Sequence, residues 1–252
     1  MTGSSRGIGR ALAERLAARG ATVGLAARSE RELEALADAL PGEHVVLGDT
    51  DVGDRASVEA AATRFGRCDL VVANAGVAHY EPFYDQSVEH FEEMTRVNWL
   101  GTLYTVHAVL PGMLRQGSGH VVVVSSGAGL RAFPQAAVYG ATKAAQSAFA
   151  DALRHELSGT GVSLTTVHPG EVATSLHDHE RDSMPAWSRA STRAVPAHRM
   201  ADRIVRAIER DERQVFFPPV VRALGIVNGV SPAAADALLR RLRGPSAAPR
   251  RS

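Results

Sequence analysis

The stretch TGSSRGIG, residues 2–9, decides the fold because it opens directly into a helical pattern. Apolar positions recur at helical spacing from residue 10 to residue 18, and Gly20 follows as a C-cap. Glycines in such a turn let the backbone approach a pyrophosphate, which then meets the free N–H groups and the positive end of the helix dipole. A plain tight turn is the alternative interpretation of these glycines.

The rest of the chain alternates short apolar runs with helical patterns. Strands are predicted at residues 22–27, 45–47, 70–73, 121–124, 164–167 and 215–217, and helices at residues 30–40, 88–114 and 137–157. Apolar runs without polar interruption are typical of parallel strands that are covered by helices on both faces. The sequence therefore predicts a doubly wound, mostly parallel α/β sheet with helices on both faces, a Rossmann-like fold.

One strand of this fold is missing from the sequence. A phosphate-binding turn should follow a strand, yet only Met1 precedes Thr2. In the doubly wound topology the first β-strand lies inside the sheet, so its absence leaves two neighbouring strands with unpaired edges. We therefore expect the natural protein to start upstream, with Met1 as the last residue of that strand or as a misassigned start. The absence of upstream coding sequence for an apolar strand would contradict this expectation.

No repeat or low-complexity linker divides the chain, which predicts one domain over residues 1–243. Residues 175–199 are rich in His, Asp, Arg, Ser and Pro, and this long polar segment is predicted to be a substrate lid.

The C-terminal part, residues 220–243, is expected to lie on the substrate side. Residues 220–230 are apolar and suit a cover over the substrate pocket; contact with a membrane surface is the alternative, but a basic amphipathic face is lacking. Ser231 and Pro232 are predicted to cap and open a final helix that ends near residue 243. The tail, residues 244–252, is predicted to be disordered.

Composition excludes several classes of protein. The chain has 252 residues with 28 Lys plus Arg against 27 Asp plus Glu, a net charge of +1, which argues against nucleic-acid binding through bulk charge. Cys68 is the single cysteine, so an internal disulfide and a cysteine-rich metal site are excluded and a reducing compartment fits best. No apolar run approaches the roughly 20 residues of a membrane span, and no signal-peptide layout is present. These features predict a cytoplasmic protein.

The end of the second predicted strand indicates which cofactor is bound. A carboxylate about 20 residues beyond the glycine turn holds the ribose 2′-hydroxyl of NAD. Ala27 stands there in this chain, and Arg28 follows it. An arginine can pair with a 2′-phosphate, and Arg6 offers a second cation nearby. We predict NADP(H) rather than NAD(H); a solvated loop residue is the alternative for Arg28.

Lys143 is the only lysine of the chain; the other 27 cationic side chains are arginines. Tyr139 stands four residues earlier, so both side chains project from one face of the predicted helix. Chance would place one of four tyrosines there about one time in sixty, and an accidental surface pair is the alternative. An ammonium held close to a phenol favours the phenolate, which suits the phenol to proton exchange at neutral pH.

Several motifs follow one another over residues 2–174 in the order of the short-chain dehydrogenase/reductase family, which this chain resembles. They are TGSSRGIG (2–9), Asp51-Val52, Asn74-Ala75-Gly76, Asn98 after Val97, Ser126 thirteen residues before Tyr139, YGATK (139–143) and PGEVAT (169–174).

The resemblance implies a set of catalytic roles. Tyr139 is the general acid/base, Lys143 lowers its pKa and bonds the nicotinamide ribose, Ser126 hydrogen-bonds the substrate oxygen, and Asn98 holds a water in a proton relay. Ser125 competes with Ser126, which we prefer for its spacing to Tyr139 and for Gly129 three residues later. Ser126 also follows a predicted strand at the carboxyl edge, where open α/β sheets bind ligands.

The predicted cofactor site combines the glycine turn, the arginines and the strand-end motifs, each of which could instead be an ordinary turn. Its residues are Gly3, Ser5, Arg6, Gly7, Ile8, Gly9, Arg28, Asp51, Val52, Asn74, Ala75, Gly76, Tyr139, Lys143, Pro169, Gly170, Val172 and Thr174. The resemblance further implies a homodimer or homotetramer built on the helices around Asn98 and Tyr139.

These features predict an NADP-dependent oxidoreductase that moves hydride between the nicotinamide and a small-molecule carbonyl or secondary alcohol, with reduction as the expected direction. The alternative is an NADP-binding regulator or scaffold without turnover. His177, Asp178, His179 and Glu180 are consecutive in a polar loop and lack the i, i+4 spacing of a helical zinc site, so no metal is predicted. His168 is expected to pack at a strand end.

Overall fold

A computed structural model describes residues 1–174, 176 and 194–243. The strands are β1 (Gly24–Ala26), β2 (Val45–Leu47), β3 (Leu70–Ala73), β4 (Gly119–Val124), β5 (Val162–Pro169), β6 (Val172–Ala173), β7 (Val195–Pro196) and β8 (Gln214–Phe217). The helices are α1 (Gly7–Ala17), α2 (Glu30–Ala39), α3 (Arg55–Phe65), α4 (Val88–Met94), α5 (Gly101–Gln116), α6 (Ala137–Glu156), α7 (Ala197–Glu209), α8 (Val220–Val230) and α9 (Pro232–Arg243). The predicted strands are all present, and their ends differ from the prediction by no more than two residues.

Every strand pair in the described ranges is parallel. One sheet has the order β3-β4-β5-β8, and β1 pairs with β2. The short strands β6 and β7 pair with each other beyond the end of β5. The predicted parallel sheet is therefore confirmed.

Met1 and Thr2 lie between β1 and β3 and join the two sheets. The N–H of Ala26 donates to the Met1 carbonyl at 3.0 Å, and the N–H of Thr2 donates to the Val72 carbonyl at 3.0 Å. Thr2 also forms an isolated parallel bridge with Ala26. These contacts place the glycine turn directly beyond the carboxyl ends of both neighbouring strands.

The valines of β4 show why its sequence is apolar throughout. Val122 and Val124 pack into the core cluster that contains residues of α1 and α7, whereas Val121 and Val123 pack with residues of α5 and α6. Successive side chains of a strand point to opposite faces, so a strand covered on both faces has no polar position to expose.

The helical segment over residues 88–116 differs from the single helix that was predicted. Helix α4 runs into a π-helical turn, Thr95–Leu100, which continues as α5. The N–H of Gly101 donates to the carbonyl of Arg96, five residues back, instead of four. Turns of this kind insert one extra residue and are frequent at functional sites.

The predicted lid ends earlier than residue 199. Val195–Pro196 forms β7, and α7 begins at Ala197, so the last residues of that segment belong to regular structure. The buried residues Met200, Ile204 and Val205 recur at helical spacing and are the signal that the lid assignment overlooked. Residues 175 and 177–193 of the predicted lid lie outside the described residues.

The final helix follows the prediction, whereas the helix before it was not predicted. Residues 220–230 form α8, and the Ser231 hydroxyl accepts a hydrogen bond from the N–H of Ala234 at 3.3 Å. Pro232 is the first residue of α9, which ends at residue 243 as expected. The predicted disordered tail, residues 244–252, lies outside the described residues.

Candidate active site and cofactor site

The glycine turn has a backbone that other residues could not adopt easily. Gly3 and Gly7 have φ angles of +66° and +58°, in the left-handed region that favours glycine. A Cβ on Gly9 would lie 2.1 Å from the carbonyl oxygen of Gly3. The turn is therefore tightly folded on itself and leaves its backbone accessible.

Asn74 and Thr2 hold this turn. The side-chain amide of Asn74 donates to the carbonyls of Thr2 and Gly3 at 3.0 and 3.1 Å. The Thr2 hydroxyl accepts from the N–H groups of Asn74 and Ala75 at 3.1 and 3.3 Å. The predicted cofactor residues after β3 thus contact the turn directly.

The residues at the start of α1 fit a dinucleotide pyrophosphate. Among the residues that the structure describes, no side chain caps the first turn of α1, and that turn carries no acidic residue. Its N–H groups and dipole therefore favour an anion. Thr174 closes one side, because a Cβ on Gly7 would lie 3.2 Å from the Thr174 side chain. An open cleft of about 620 Å³ runs beside these residues.

The other predicted residues of the turn have mixed surroundings. Ser5 is nearly buried, and Ile8 packs against the core. Arg6 is exposed and has one guanidinium nitrogen 3.9 Å from the Glu32 carboxylate.

At the end of β1, Arg28 is exposed and makes no ion pair within 4 Å to any residue that the structure describes. Its charge lies close enough to Asp51 to help hold the pKa of that carboxyl below its usual value. Burial opposes this lowering, but the N–H of Gly53 and the Arg96 guanidinium, 2.8 Å from Asp51, together outweigh it. Asp51 is therefore an anion, and Arg28 is a cation that is free to meet a phosphate.

Val52 is a core residue in this structure. It packs with Val58 and Val97, and a Cβ on Gly101 would lie 2.9 Å from its side chain. The predicted contact of Asp51 and Val52 with the cofactor stays a prediction.

Tyr139 and Ser126 meet at the carboxyl edge of the sheet. Ser126 follows β4, and its hydroxyl accepts from the N–H of Ala128 at 3.1 Å. Tyr139 lies in the first turn of α6 and is 5% exposed. Burial raises the pKa of Tyr139, and the nearby Ser126 side chain lowers it. The two groups can therefore contact one substrate oxygen together.

Ser125 is engaged elsewhere. Its hydroxyl donates to the carbonyl of Lys143 at 2.7 Å and lies 2.9 Å from the Ser147 hydroxyl. Since successive residues of a strand point to opposite faces, only one of the two serines can face Tyr139. Ser126 is therefore the better candidate, and its catalytic role stays a prediction.

Lys143 is buried between β4 and the loop after β3. Its Nζ donates to the carbonyl of Val124 at 3.0 Å, and a Cβ on Gly76 would lie 3.5 Å from it. Only 4% of the residue is exposed. Burial lowers the pKa of Lys143 to about 7.

The pKa of Tyr139 departs from the expectation. Burial raises it, and the hydrogen bond from Ser126 offsets this only in part. Nζ of Lys143 lies 5.9 Å from the centre of the Tyr139 ring and is hydrogen-bonded to the backbone. Burial therefore dominates, and the pKa of Tyr139 is not lowered as the resemblance implied.

Asn98 lies in the π-helical turn and is fully buried. Its Oδ1 accepts from the N–H of Val77 at 2.8 Å, and its Nδ2 donates to the Val77 carbonyl and to the Thr142 hydroxyl at 2.9 and 3.1 Å. A Cβ on Gly76 would lie 3.2 Å from Oδ1, so Asn98 and Lys143 border the same glycine. The implied role of Asn98 in a water relay stays a prediction.

The segment after β5 supports the floor of the site. The N–H of Gly170 donates to the Phe217 carbonyl at 2.8 Å, and Val172 is buried in β6. A Cβ on Gly170 would lie 2.9 Å from Pro218 and 3.0 Å from Val221, so packing leaves no room for a side chain there. Pro169 ends β5 at this edge. These residues adjoin Thr174, which reaches the glycine turn.

His168 packs at the end of β5, as expected. It is fully buried and stacks on Phe216 with ring centres 4.9 Å apart. Burial lowers the pKa of His168 to about 4, which the nearby backbone of Ser126 offsets slightly. The imidazole is therefore neutral in the folded protein at neutral pH.

This burial predicts acid sensitivity of the fold. Between about pH 6.5 and pH 4 the unfolded chain binds a proton at His168 and the folded chain does not, so stability falls as the pH is lowered through this window. We expect His168 to account for a loss of about 3 kcal/mol in unfolding free energy by pH 4. Urea unfolding of His168→Phe should show a shallower pH dependence. His155→Gln, at an exposed position of α6, is the control and should follow the wild type.

The sequence predicted neither a metal site nor a membrane span. The four residues His177 to Glu180 lie outside the described residues; elsewhere in the described chain no cluster of three or more His, Cys, Asp or Glu residues could hold a metal ion. No helix among the described residues is both long and apolar enough to cross a bilayer.

Thr142 and Gln146 contact the predicted site residue Asn98, although neither was predicted from the sequence. Both are buried polar residues of α6, three and seven positions after Tyr139, and both bond to Asn98. Their helical spacing from Tyr139 on the buried face was the available signal.

Comparison with known proteins identifies the class. The family model described as short chain dehydrogenase matches residues 1–185. The chain belongs to the short-chain dehydrogenase/reductase family, and it is an oxidoreductase with the parallel α/β fold of that family.

Curated relatives are similar over 70% of the chain. A glycine betaine reductase of Emericella nidulans is 42% identical over 182 residues, but this match spans 14% of that protein. An uncharacterised oxidoreductase of Staphylococcus aureus is 38% identical over 180 residues, which cover 78% of its length.

Solved structures match almost the whole chain. A short-chain dehydrogenase of Sphingobium yanoikuyae in complex with NADPH has a TM-score of 0.81 at 27% identity, covering 100% of this chain and 98% of that one. A short-chain dehydrogenase/reductase of Burkholderia phymatum in complex with NAD has a TM-score of 0.84 at 26% identity, covering 98% and 96%. Similar proteins thus bind either dinucleotide.

Proposed function

We propose that this protein reduces a small-molecule carbonyl to a secondary or primary alcohol with NADPH, with Tyr139 as the proton donor. The observation that carries the proposal is the meeting of Ser126, Tyr139 and Lys143 at the carboxyl edge of the sheet, next to the uncapped start of α1. The relatives named as reductase and dehydrogenase support a carbonyl or alcohol substrate.

Two segments of the chain would hold the cofactor. The turn with Gly3, Gly7 and Gly9 and the start of α1 would hold the pyrophosphate, and residues 169–174 would support the nicotinamide. When bound, NADPH supplies the hydride that adds to the carbonyl carbon.

The remaining steps belong to Ser126, Tyr139 and Lys143. Ser126 donates a hydrogen bond to the substrate oxygen and orients it, and Tyr139 gives the proton of its hydroxyl to that oxygen. Lys143 stabilises the phenolate that Tyr139 becomes, because a cation in a buried site acts on a charge more strongly than in water. In the oxidative direction the same groups act in reverse.

Assay of the protein with NADPH and a panel of ketones and aldehydes tests this function. Turnover that depends on Tyr139 supports it. Dinucleotide binding without turnover, unchanged in Tyr139→Phe, would instead favour a regulator or scaffold. The homodimer or homotetramer stays a prediction.

Arg28 is proposed to make the protein select NADPH. Its exposed guanidinium follows β1 and is free of ion pairs with other described residues, so it can form a charge-assisted bond to a 2′-phosphate. Arg28→Ala should raise KM for NADPH about tenfold, which corresponds to about 1.4 kcal/mol, and leave KM for NADH within about twofold. Arg31→Ala, at an exposed position of α2, is the matched control. An equal effect on both cofactors would contradict the assignment.

A further inference from the structure

The carbonyl of Asn98 accepts hydrogen bonds from two side chains. It accepts from Nε2 of Gln146 at 2.9 Å and from the Thr102 hydroxyl at 2.8 Å. Gln146 Nε2 also donates to the Thr102 hydroxyl at 2.5 Å, so its two N–H groups serve both partners. The three residues form one buried network across α5 and α6.

Burial makes this network costly to leave incomplete. Gln146 and Asn98 are completely buried, and Thr102 is 3% exposed. Within the described ranges, Oε1 of Gln146 has no hydrogen-bond partner. The unpaired Oε1 reduces the stability that Gln146 contributes through its two hydrogen bonds.

The π-helical turn explains what Gln146 does. In Thr95–Leu100 the backbone hydrogen bonds join residues five positions apart, whereas those of an α-helix join residues four positions apart. Return to α-helical geometry would rotate the Asn98 side chain by roughly 100° and remove it from Val77 and Thr142. Gln146 bonds the Asn98 carbonyl from the neighbouring helix α6 and so ties the backbone of the π-helical turn to that helix.

Gln146 also belongs to the helix that carries the reacting groups. Tyr139, Lys143 and Gln146 stand at i, i+4 and i+7 on the buried face of α6. Gln146 therefore links α6 to Asn98, whose side chain borders the same glycine as Lys143.

We propose that Gln146 is a positioning residue for the reaction: it holds the π-helical turn and thereby keeps Asn98 beside Gly76 and Lys143. This inference rests on the proposed function. Gln146 is completely buried and acts through the Asn98 carbonyl.

Gln146→Met is the decisive variant because methionine has nearly the same size and shape but no donor. The Thr102 hydroxyl still donates to the Asn98 carbonyl in this variant and the unpaired Oε1 is removed, so no polar atom of the network is left without a partner and we expect a Tm close to that of the wild type. We expect kcat to fall at least tenfold while KM for NADPH stays within about twofold, since displacement of a site group by about 1 Å can cost much of the rate. Amide hydrogen exchange in residues 95–102 should become at least tenfold faster, with other helices unchanged.

Gln116→Met is the matched control. Gln116 also donates from Nε2 to two carbonyls, those of Cys68 and Ser118, at 3.3 Å each, at the far end of α5. This variant should retain the wild-type kcat and the wild-type exchange in residues 95–102.

The outcomes separate this inference from the proposed function. Wild-type turnover with an unaffected kcat in Gln146→Met, or unchanged exchange in residues 95–102, overturns the inference alone. A fall in Tm with unchanged kcat also overturns it, because Gln146 would then be structural only. Absence of wild-type turnover across the substrate panel overturns the proposed function and the inference together.

Discussion

Tyr139→Phe is expected to lower kcat about a thousandfold, because general acid catalysis by a positioned side chain contributes roughly 10²–10⁴-fold. Tyr139 is 5% exposed and lies near Ser126, so bulk water has little access to the position of its hydroxyl. The ring is retained in the variant, and its edge contact with Tyr80, 5.8 Å between ring centres, should keep the site packed.

Steady-state kinetics with NADPH and the best carbonyl substrate measure this effect. The Kd for NADPH, determined by fluorescence titration, should change by no more than about twofold. Tyr104→Phe removes the hydroxyl of a half-buried tyrosine in α5 and is the matched control. Retention of more than a tenth of kcat in Tyr139→Phe would exclude Tyr139 as the proton donor.

Lys143→Arg is expected to lower kcat/KM at least a hundredfold although the charge is conserved. Nζ is confined between the Val124 carbonyl, 3.0 Å away, and Gly76. A guanidinium is larger and planar, and overpacking of a close-packed site costs about 1–3 kcal/mol. It would also displace Gly76 or Asn98, so the variant should lose cofactor binding as well as turnover.

Comparison with Lys143→Met separates size from charge. Methionine fits the space but carries no ammonium, so kcat should also fall at least a hundredfold. Removal of the buried amine should raise Tm at pH 7, because the unfolded chain binds a proton at Lys143 between about pH 7 and pH 10.5 that the folded chain binds less readily. Arg31→Lys, the reverse exchange at an exposed position, should leave kcat unchanged.

The single lysine permits a direct measurement as well. Protein labelled with ¹⁵N-lysine should give one Nζ resonance, which titrates near pH 7 because burial lowers the pKa of Lys143 to about 7. Near-wild-type turnover in Lys143→Arg, or a titration near 10.5, would remove the support for this role of Lys143.

Local patterns predicted the strands well because each strand is covered on both faces. The uninterrupted apolar run at β4 and the glycine turn before α1 reflect short-range requirements, namely a two-sided core and a backbone that needs positive φ. Helix α7 was overlooked because its polar face dominates the composition of residues 194–209, although its apolar spacing was visible.

The candidate site was predicted only in part. The spacing of Ser126, Tyr139 and Lys143 brought these residues to one helix face and one strand end, and the structure brings them together. Neither the π-helical turn at Asn98 nor the bonds that join Asn98 to α6 could be predicted, since these hydrogen bonds join residues 44 to 48 positions apart.

The sequence by itself determined the family, the parallel α/β fold and the position of Lys143 one helical turn after Tyr139, because these depend on residue identity and local spacing. Tertiary structure alone decided that burial raises the pKa of Tyr139 and that Asn98 lies in a π-helical turn. The physical reason is that burial and long-range hydrogen bonds are properties of a packed neighbourhood, and residues distant in the chain supply that neighbourhood.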